Sequence, residues 1–410
     1  MTRQWHFHLP VSHAHSALSA LVQLLRDQSI QLAGLRVVAD EAGHRVAMDL
    51  SATDDALGTA QATCDGWAEE GALQIKSVSN MPTVKTAMAA CRALEVPHAV
   101  WTLVMPRDAA ADSAALWADI LEHCVSLGQI MTHVHCLTQD APQGDGPQVT
   151  AYEMWSAGTA VNPALIKAVL LALADRYGVD LMVQNSQQLM TQGGLAVFDM
   201  DSTLIQTEVI DELAMRAGIG EQVQAITASA MQGHIDFQQS FRQRMALLEG
   251  LSVDVLDDIA AQLPIMPGAQ RLFRQLRAMG YKTAILSGGF TYFAEQVQRL
   301  LGIDWVYAND LLAENGKLTG QVGDDIVDGE KKAALLQQLA NKLDLTVART
   351  IAVGDGANDV PMLSIAGLGV AFHAKPKVRA AAQHSLSVGG LDTLLYALGQ
   401  TDDEINGAVR

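Results

Sequence analysis

Cysteine, aromatic residues and long apolar segments are all scarce in this chain. Its four cysteines, Cys64, Cys91, Cys124 and Cys136, have no metal-ligand spacing and are expected to be reduced thiols. No apolar run is long enough to span a bilayer, and the opening segment MTRQWHFHLPV lacks the apolar stretch of a signal peptide. These absences predict a cytoplasmic protein without membrane spans.

Basic residues are also in the minority. The chain carries 27 lysines and arginines against 45 aspartates and glutamates, which gives a formal net charge of −18. This balance argues against nucleic acids and anionic membranes as partners. Hydrophobic residues make up 49% of the 410 residues and aromatic residues only 5%, so we expect aliphatic cores in two or three domains.

The most informative segment is LAVFDMDSTLIQTE, which runs from Leu195 to Glu208. An apolar strand leads directly into two carboxylates, Asp199 and Asp201, and open α/β sheets bind their ligands at this end of the strands. One carboxylate can act as a nucleophile while the other carries a proton. Alone, the pattern is also typical of a solvated turn, so its meaning depends on the segments that follow.

Two further segments offer groups that suit a phosphate. TAILSGGF is a second apolar strand that ends in Ser287 and two glycines, Gly288 and Gly289, whose backbone N–H groups can cradle an anion. The pair Lys331 and Lys332 precedes an apolar helix and offers an ammonium group to a phosphoryl oxygen. In isolation, the first segment is an ordinary strand-to-helix turn and the second is surface charge.

A fourth segment, TIAVGDGANDVPML, supplies carboxylates beside a third strand end. Asp355, Asn358 and Asp359 follow the strand, and glycines let the backbone turn sharply. Oxygen ligands of this kind are the ones that Mg²⁺ prefers. Because the carboxyl ends of parallel strands share one edge of a sheet, the four segments predict one pocket in an α/β domain with a doubly wound parallel sheet.

In this order and spacing, the four segments resemble the motifs of the haloacid dehalogenase-like phosphohydrolase superfamily. The resemblance runs from about Leu195 to the C-terminus and implies a Rossmann-like core. It implies that Asp199 is the nucleophile, which forms an aspartyl-phosphate, and that Asp201 is the general acid and base. It also implies one Mg²⁺ ion, held by Asp199, the backbone carbonyl of Asp201 and Asp355.

The same resemblance implies which groups hold the remaining phosphoryl oxygens. These groups are Ser287, the Gly288 N–H, Lys332 and Asn358. Asp359 would orient the lysine or a metal-bound water. Lys332 aligns with the lysine of the superfamily, and Lys331 is the alternative, so the lysine assignment depends on the alignment.

Between the first two motifs, the chain is predicted to form a helical cap over the pocket, at about 209–266. Here the resemblance narrows to the phosphoserine phosphatase family, through DSTLIQTE, AMQGHIDFQQSFRQR, LSGGF and GDGANDVPM. It implies that Glu208 binds the amino group of the substrate and that Arg244 binds its carboxylate. Alternatively, Glu208 is a charge at a helix N-terminus, and Arg244 belongs to a solvated basic face with Arg242.

The N-terminal half has no comparable catalytic pattern, but it repeats one order of elements. Residues 1–80 and 96–184 each predict an α+β unit of βαββαβ order, and the polar segment 184–194 predicts a linker. The repeat resembles tandem ACT-like domains, which implies an amino-acid effector or a homodimer contact. Residues 195–410 would then form the catalytic domain.

The combined resemblance implies Mg²⁺-dependent hydrolysis of O-phospho-L-serine to L-serine and phosphate, the last step of serine biosynthesis. Two alternatives stay open. One is the same chemistry on another small phosphomonoester, such as phosphoethanolamine or phosphohomoserine. The other is an amino-acid-sensing regulator with a vestigial phosphatase half, although every expected motif residue is present in this sequence.

Overall fold

The chain divides into two compact units, formed by residues 1–189 with 396–407 and by residues 190–395 with 408–410. The computed structural model describes residues 2–9, 14–28, 30–40, 43–51, 53–69, 98–107, 113–138, 148–158, 163–185, 193–232 and 234–407. Among these residues, no helix has both the length and the apolar character that crossing a membrane requires.

The first unit alternates strands and helices along its described residues. They are β1 (Thr2–Leu9), α1 (Ala14–Asp27), β2 (Gln31–Asp40), β3 (Gly43–Ser51), α2 (Asp54–Glu69), β4 (His98–Pro106), α3 (Ser113–Ser126), β5 (Gln129–Cys136), β6 (Val149–Gly158), α4 (Pro163–Tyr177) and β7 (Asp180–Asn185).

These strands form a single antiparallel sheet with the order β1-β3-β2-β5-β6-β4-β7. Strands β4 to β7 with α3 and α4 have the βαββαβ order that the sequence predicts for residues 96–184. The first repeat supplies β1, β2 and β3, while its predicted fourth strand lies outside the described residues. The two repeats share one sheet because β2 pairs with β5, where Val37 lies opposite Val134.

Large apolar side chains from this sheet and its helices form one buried cluster. The rings of Trp117 on α3 and Tyr152 on β6 meet edge to face, with centroids 5.1 Å apart. Cys64 and Cys124 are buried in the same cluster, and burial raises the pKa of each thiol to about 12. Both are therefore free, unreactive thiols, whereas Cys136 is exposed and Cys91 lies outside the described residues.

The second unit contains a larger number of shorter elements. They are β8 (Gly194–Phe198), α5 (Val209–Ala217), α6 (Gly220–Met231), α7 (Phe237–Ala246), α8 (Asp254–Ala260), α9 (Ala269–Ala278), β9 (Tyr281–Phe290), α10 (Thr291–Leu301), β10 (Trp305–Asn309), β11 (Ala313–Glu314), β12 (Lys317–Leu318), α11 (Gly329–Lys342), β13 (Thr350–Gly354), α12 (Val360–Ile365), β14 (Leu368–Phe372), α13 (Pro376–Ala381), β15 (His384–Leu386) and α14 (Leu394–Ala397).

Six strands of this unit form a parallel sheet with the order β10-β9-β8-β13-β14-β15. The chain first builds outward from β8 through β9 and β10, and then returns to add β13, β14 and β15 on the other side. The direction of winding therefore reverses between β8 and β13, which is where doubly wound sheets bind their ligands. This topology confirms the predicted fold class.

The apolar character of β8 explains its central position. Leu195 and Val197 are buried in one cluster with Leu336 of α11. On the other face of the strand, the ring of Phe198 lies 4.8 Å from that of Phe273 on α9, centroid to centroid. A strand with helices on both faces needs apolar residues throughout, and all five residues of β8 are buried.

Helices α5 to α8 form the cap that the sequence predicts between the first two motifs. Helix α7 begins with a capping box: Asp236 Oδ1 accepts from the Gln239 backbone N–H at 2.7 Å, and Gln239 Oε1 accepts from the Asp236 N–H at 3.3 Å. The short hairpin β11–β12 is joined to the cap by backbone hydrogen bonds, including one from the Gly250 N–H to the Leu318 carbonyl at 2.9 Å.

The last described residues return to the first unit, which differs from the predicted catalytic domain of residues 195–410. The segment 396–407, which contains α15 (Asp402–Gly407), belongs to the first unit. The Tyr396 hydroxyl donates to Asp402 Oδ1 at 2.8 Å, and the Asp402 N–H donates to the Leu137 carbonyl at 2.9 Å. The Gln184 amide also donates to the Ala397 carbonyl at 2.7 Å, so buried polar contacts hold this segment.

Candidate active site

Strands β8 and β13 bring the first and fourth motifs together. The backbone N–H of Asp199, just beyond β8, donates to the Val353 carbonyl on β13 at 2.9 Å, which extends the pairing of the two strands. The chain then turns sharply at Ser202, whose φ of 56° lies in the left-handed region. The turn places Thr203 inside, where its hydroxyl donates to Asp355 Oδ1 at 3.3 Å.

Lys332 is fully buried between two carboxylates. Its Nζ lies 2.8 Å from Asp199 Oδ1 and 2.6 Å from Asp359 Oδ1. Burial alone lowers the pKa of this lysine, but the two carboxylates outweigh burial and raise it, so the side chain is an ammonium. Lys331 instead pairs with the exposed carboxylate of Asp325 at 2.8 Å, which favours Lys332 as the lysine of the site.

Three carboxylates converge beside this ammonium. One oxygen from each of Asp199, Asp355 and Asp359 lies within 4.8 Å of the other two. Burial, followed by the charge of Asp359, raises the pKa of Asp199 well above its usual value and that of Asp355 to about 7. A buried group of acids is stable only when cations or protons neutralise it, so this donor set fits a divalent metal ion.

The carboxylate cluster differs in one member from the predicted metal ligands. Asp359 belongs to it, whereas Asp201 was expected to contribute only its backbone carbonyl. The two Asp359 oxygens already have partners, since Oδ1 pairs with Lys332 and Oδ2 accepts from the Gly356 N–H at 2.9 Å. Asp359 therefore contacts the lysine, which is one of the two groups that it was expected to orient.

Asp201 is not part of this carboxylate cluster and contacts the first helix of the cap. Its Oδ1 accepts from the Val209 N–H at the start of α5, at 3.0 Å. Burial and then the charge of Glu208 raise the pKa of Asp201 to about 8, although the Val209 N–H opposes this shift. A carboxyl group that keeps its proton near neutral pH is suited to general acid catalysis.

Near the end of β9, residues 287–289 depart from the regular pairing with β10; this segment, called the β9 turn, lies next to Asp201. Ser287 is fully buried, and its Oγ accepts from the Gly289 N–H at 2.9 Å. A Cβ atom on Gly289 would lie 2.4 Å from Asp201 Oδ2, so only glycine allows this approach. A Cβ atom on Gly288 would lie 2.9 Å from the ring of Phe237, so this cap residue lies directly over the turn.

Asn358 lies in the short 3-10 helix Ala357–Asp359, immediately before Asp359. Its side-chain oxygen is so close to Gly356 that a Cβ atom there would lie 2.3 Å away. Its backbone carbonyl faces Gly329, the first residue of α11, where a Cβ atom would lie 2.8 Å away. These contacts pack the fourth motif against the start of the helix that carries Lys332.

Glu208 and Arg244 belong to the cap side of the pocket. Glu208 precedes α5, is exposed and accepts a hydrogen bond from the Ser202 hydroxyl at 2.8 Å. Burial lowers the pKa of the Arg244 guanidinium, while Glu208, Asp211 and Asp201 raise it, so the guanidinium faces these acids. Among the described residues, no carboxylate lies within 4.0 Å of it; its Nε donates to a backbone carbonyl of its own helix.

Comparisons with known proteins agree with this geometry. A family model described as haloacid dehalogenase-like hydrolase matches residues 196–364. A protein of Idiomarina loihiensis, named phosphoserine phosphatase, is 49% identical over 209 residues, which are 51% of this chain and 95% of that protein. A Haemophilus influenzae protein of the same name is 47% identical over 55% of this chain and 71% of its own.

This chain belongs to the haloacid dehalogenase-like hydrolase family. A Streptomyces coelicolor protein named phosphoserine phosphatase is 44% identical over 63% of this chain, and the chain spans 63% of that protein's length. The crystal structure of a probable phosphoserine phosphatase from Vibrio cholerae is 34% identical, with a TM-score of 0.56 over 76% of this chain and 88% of that one. The resemblance to the superfamily is therefore confirmed.

One residue of this haloacid dehalogenase-like hydrolase that the sequence analysis missed is Asn309, at the end of β10. Its Nδ2 donates to the carbonyls of Gly288 and Gly289, at 2.9 and 3.2 Å, and its Oδ1 accepts from the Val327 N–H at 2.8 Å. Asn309 therefore fixes the β9 turn relative to the segment before α11. The signal that would have found it is a polar residue at the end of a neighbouring strand.

We expect Asn309→Asp to lower phosphatase turnover about a hundredfold, because a misplaced binding group costs about that much. Aspartate has the same shape, but it has an oxygen acceptor where Asn309 has an N–H donor, so it cannot donate to the two glycine carbonyls. Turnover of p-nitrophenyl phosphate measures the effect, with Asn341→Asp as the control at an exposed position of α11. Equal turnover in the two variants would show that Asn309 does not position the turn.

Proposed function

We propose that this chain is a phosphoserine phosphatase that hydrolyses O-phospho-L-serine to L-serine and phosphate, the last step of serine biosynthesis. The observation that carries the proposal is that an acid, Glu208, and a guanidinium, Arg244, both belong to the cap side of the pocket and sense each other's charge. A substrate with an ammonium group and a carboxylate needs one group of each charge. The names of the relatives support the same substrate.

The chemistry assigned to the two aspartates proceeds in two steps. Asp199 attacks the phosphorus, the bond to the serine oxygen breaks, and Asp201 donates its proton to that oxygen. Asp201 then takes a proton from a water molecule, which attacks the aspartyl-phosphate and releases phosphate. The raised pKa of Asp201, about 8, supports the first role, since its protonated form is present at neutral pH.

The remaining groups hold the phosphate in place. Lys332 neutralises charge beside Asp199, and its burial keeps water from competing for it. We assign the other phosphoryl oxygens to the Ser287 hydroxyl, the Gly288 N–H and the Asn358 amide. Their positions support this assignment, because Ser287 and Gly288 lie near the end of β9 and Asn358 follows β13, at the carboxyl edge of the same parallel sheet.

The metal of the site is proposed to be Mg²⁺. The ligands would be carboxylate oxygens of Asp199 and Asp355 and the backbone carbonyl of Asp201, a hard oxygen set that suits this ion. When bound, Mg²⁺ supplies positive charge that offsets the repulsion between the nucleophile and the phosphate. The Thr203 hydroxyl helps to orient Asp355 for this purpose.

The test of the function is a phosphate-release screen over phosphorylated amino acids and amines. We expect phosphoserine to be hydrolysed faster than phosphoethanolamine or phosphohomoserine, and we expect chelation by EDTA to stop the reaction until Mg²⁺ is added. The control is Asp199→Asn, which removes the nucleophile and should reduce release to background. Turnover by this variant would contradict the covalent mechanism. Faster hydrolysis of another substrate would show that phosphoserine is not the preferred substrate.

The assignment of Arg244 makes a separate prediction. Arg244→Ala should weaken catalysis on phosphoserine by roughly 2–5 kcal/mol, the cost of removing one partner from a buried charge pair. Phosphoethanolamine has no carboxylate, so its hydrolysis should fall far less. Arg242→Ala, at an exposed position of the same helix, is the matched control. If kcat/KM fell equally for both substrates, Arg244 would act in folding or phosphate binding instead.

For the first unit we propose regulation by an amino-acid effector, or a homodimer contact, as its ACT-like order of elements suggests. Serine is the first candidate. Because serine would also bind the active site, titration calorimetry is best done on the full-length Arg244→Ala variant, together with sedimentation. We expect the chain to bind serine or to self-associate. The regulatory role would be contradicted if neither serine nor any other amino acid of a panel bound and the chain did not self-associate.

The cytoplasmic location stays a prediction.

A further inference from the structure

The first turn of α7 contacts two separate segments of the core of the second unit. Phe237 lies over Gly288 in the β9 turn, and the neighbouring residue, Gln238, reaches the start of α11. The capping box formed by Asp236 and Gln239 fixes the backbone of this turn. The turn is therefore a point at which the cap contacts the core of the second unit.

The contact at α11 is a short hydrogen bond to a charged group. Gln238 Nε2 donates to Asp328 Oδ2 at 2.6 Å. Asp328 is the N-cap of α11, and its Oδ1 accepts from the Lys331 N–H at 3.0 Å. Burial raises the pKa of Asp328, but the bonds from Gln238 and from the backbone outweigh it and lower the pKa, so the acceptor is an ionised carboxylate.

The other end of α7 carries the group that we assign to the substrate carboxylate. Arg244 follows Gln238 by six residues, which corresponds to roughly 9 Å along the axis of a helix. Since α7 is a regular helix over Phe237–Ala246, a shift at its first turn displaces Arg244 as well. Bidentate binding of a carboxylate by a guanidinium tolerates little displacement.

We propose that Gln238 is a positioning residue for substrate specificity. Its hydrogen bond to Asp328 anchors α7 to the N-terminus of the Lys332 helix and thereby sets the distance from the phosphate site to Arg244. The distance between the phosphate site and Arg244 then selects substrates whose carboxylate lies as far from the phosphate as it does in phosphoserine. This inference rests on the proposed function, because it takes Arg244 as the receptor for the substrate carboxylate.

The test uses one variant that breaks the hydrogen bond between Gln238 and Asp328 and a double variant that restores it with donor and acceptor exchanged. Q238E places a carboxylate opposite Asp328, yet an acidic residue in the first turn of a helix is favourable, so α7 should stay folded. D328N keeps a good N-cap residue on α11. The double variant Q238E/D328N recreates an amide–carboxylate bond with the two roles exchanged. The control is Gln243→Glu, at an exposed position of the same helix.

We expect Q238E to lower kcat/KM for phosphoserine by about three- to tenfold, mainly through KM, since the bond is charge-assisted but partly exposed. Turnover of p-nitrophenyl phosphate, which has no carboxylate, should change less than twofold. The double variant should recover most of the loss. Unchanged kinetics in Q238E, no recovery in the double variant, or an equal loss on both substrates would each overturn the proposal.

Hydrogen exchange separates this inference from the proposed function. If the wild-type chain releases no phosphate from phosphoserine, the function is wrong, and exchange of the amides in residues 236–246 still tests the anchor. Faster exchange in Q238E, with recovery in Q238E/D328N, supports an anchor at Asp328. Equal exchange in the wild-type chain and both variants overturns it.

Discussion

The second unit depends on one buried ammonium. Lys332 has no exposed surface, and its charge is balanced by Asp199 from the end of β8 and Asp359 from the segment after β13. Removing one partner from such a group typically costs 3–5 kcal/mol, because an uncompensated charge stays in a medium of low polarity. The interaction therefore holds the ends of β8 and β13 next to α11. The same arrangement places the carboxylates and the ammonium group of the candidate active site together.

Much of this arrangement could be predicted from local sequence. An apolar strand that ends in a carboxylate, as at Asp199 or Asp355, is a weak signal by itself. Several such strands in one chain predict a shared pocket, because the carboxyl ends of parallel strands meet at one edge of a sheet. The helical cap also followed from apolar spacing. The choice of Lys332 over Lys331 depended on an alignment, because only the turn of α11 in three dimensions decides which lysine points inward.

Other parts could not be predicted because their causes are not local. Asn309 acts through backbone groups 18 to 21 positions away, and its own segment shows only a polar residue at a strand end, which does not identify those partners. The continuity of the sheet in the first unit depends on pairing between β2 and β5, which lie far apart in sequence. Likewise, the hydrogen bond from the Gln184 amide to the Ala397 carbonyl joins residues 213 positions apart.

The return of residues 396–407 to the first unit has a consequence for biosynthesis. The second unit is almost continuous in sequence, so it can fold as soon as the ribosome has released it. The first unit begins earlier in the sequence but is incomplete until residues 396–407 are made, which supply the buried ring of Tyr396 and the buried side chain of Ile405. The first unit thus gains this segment only after residues 190–395 of the second unit have been made.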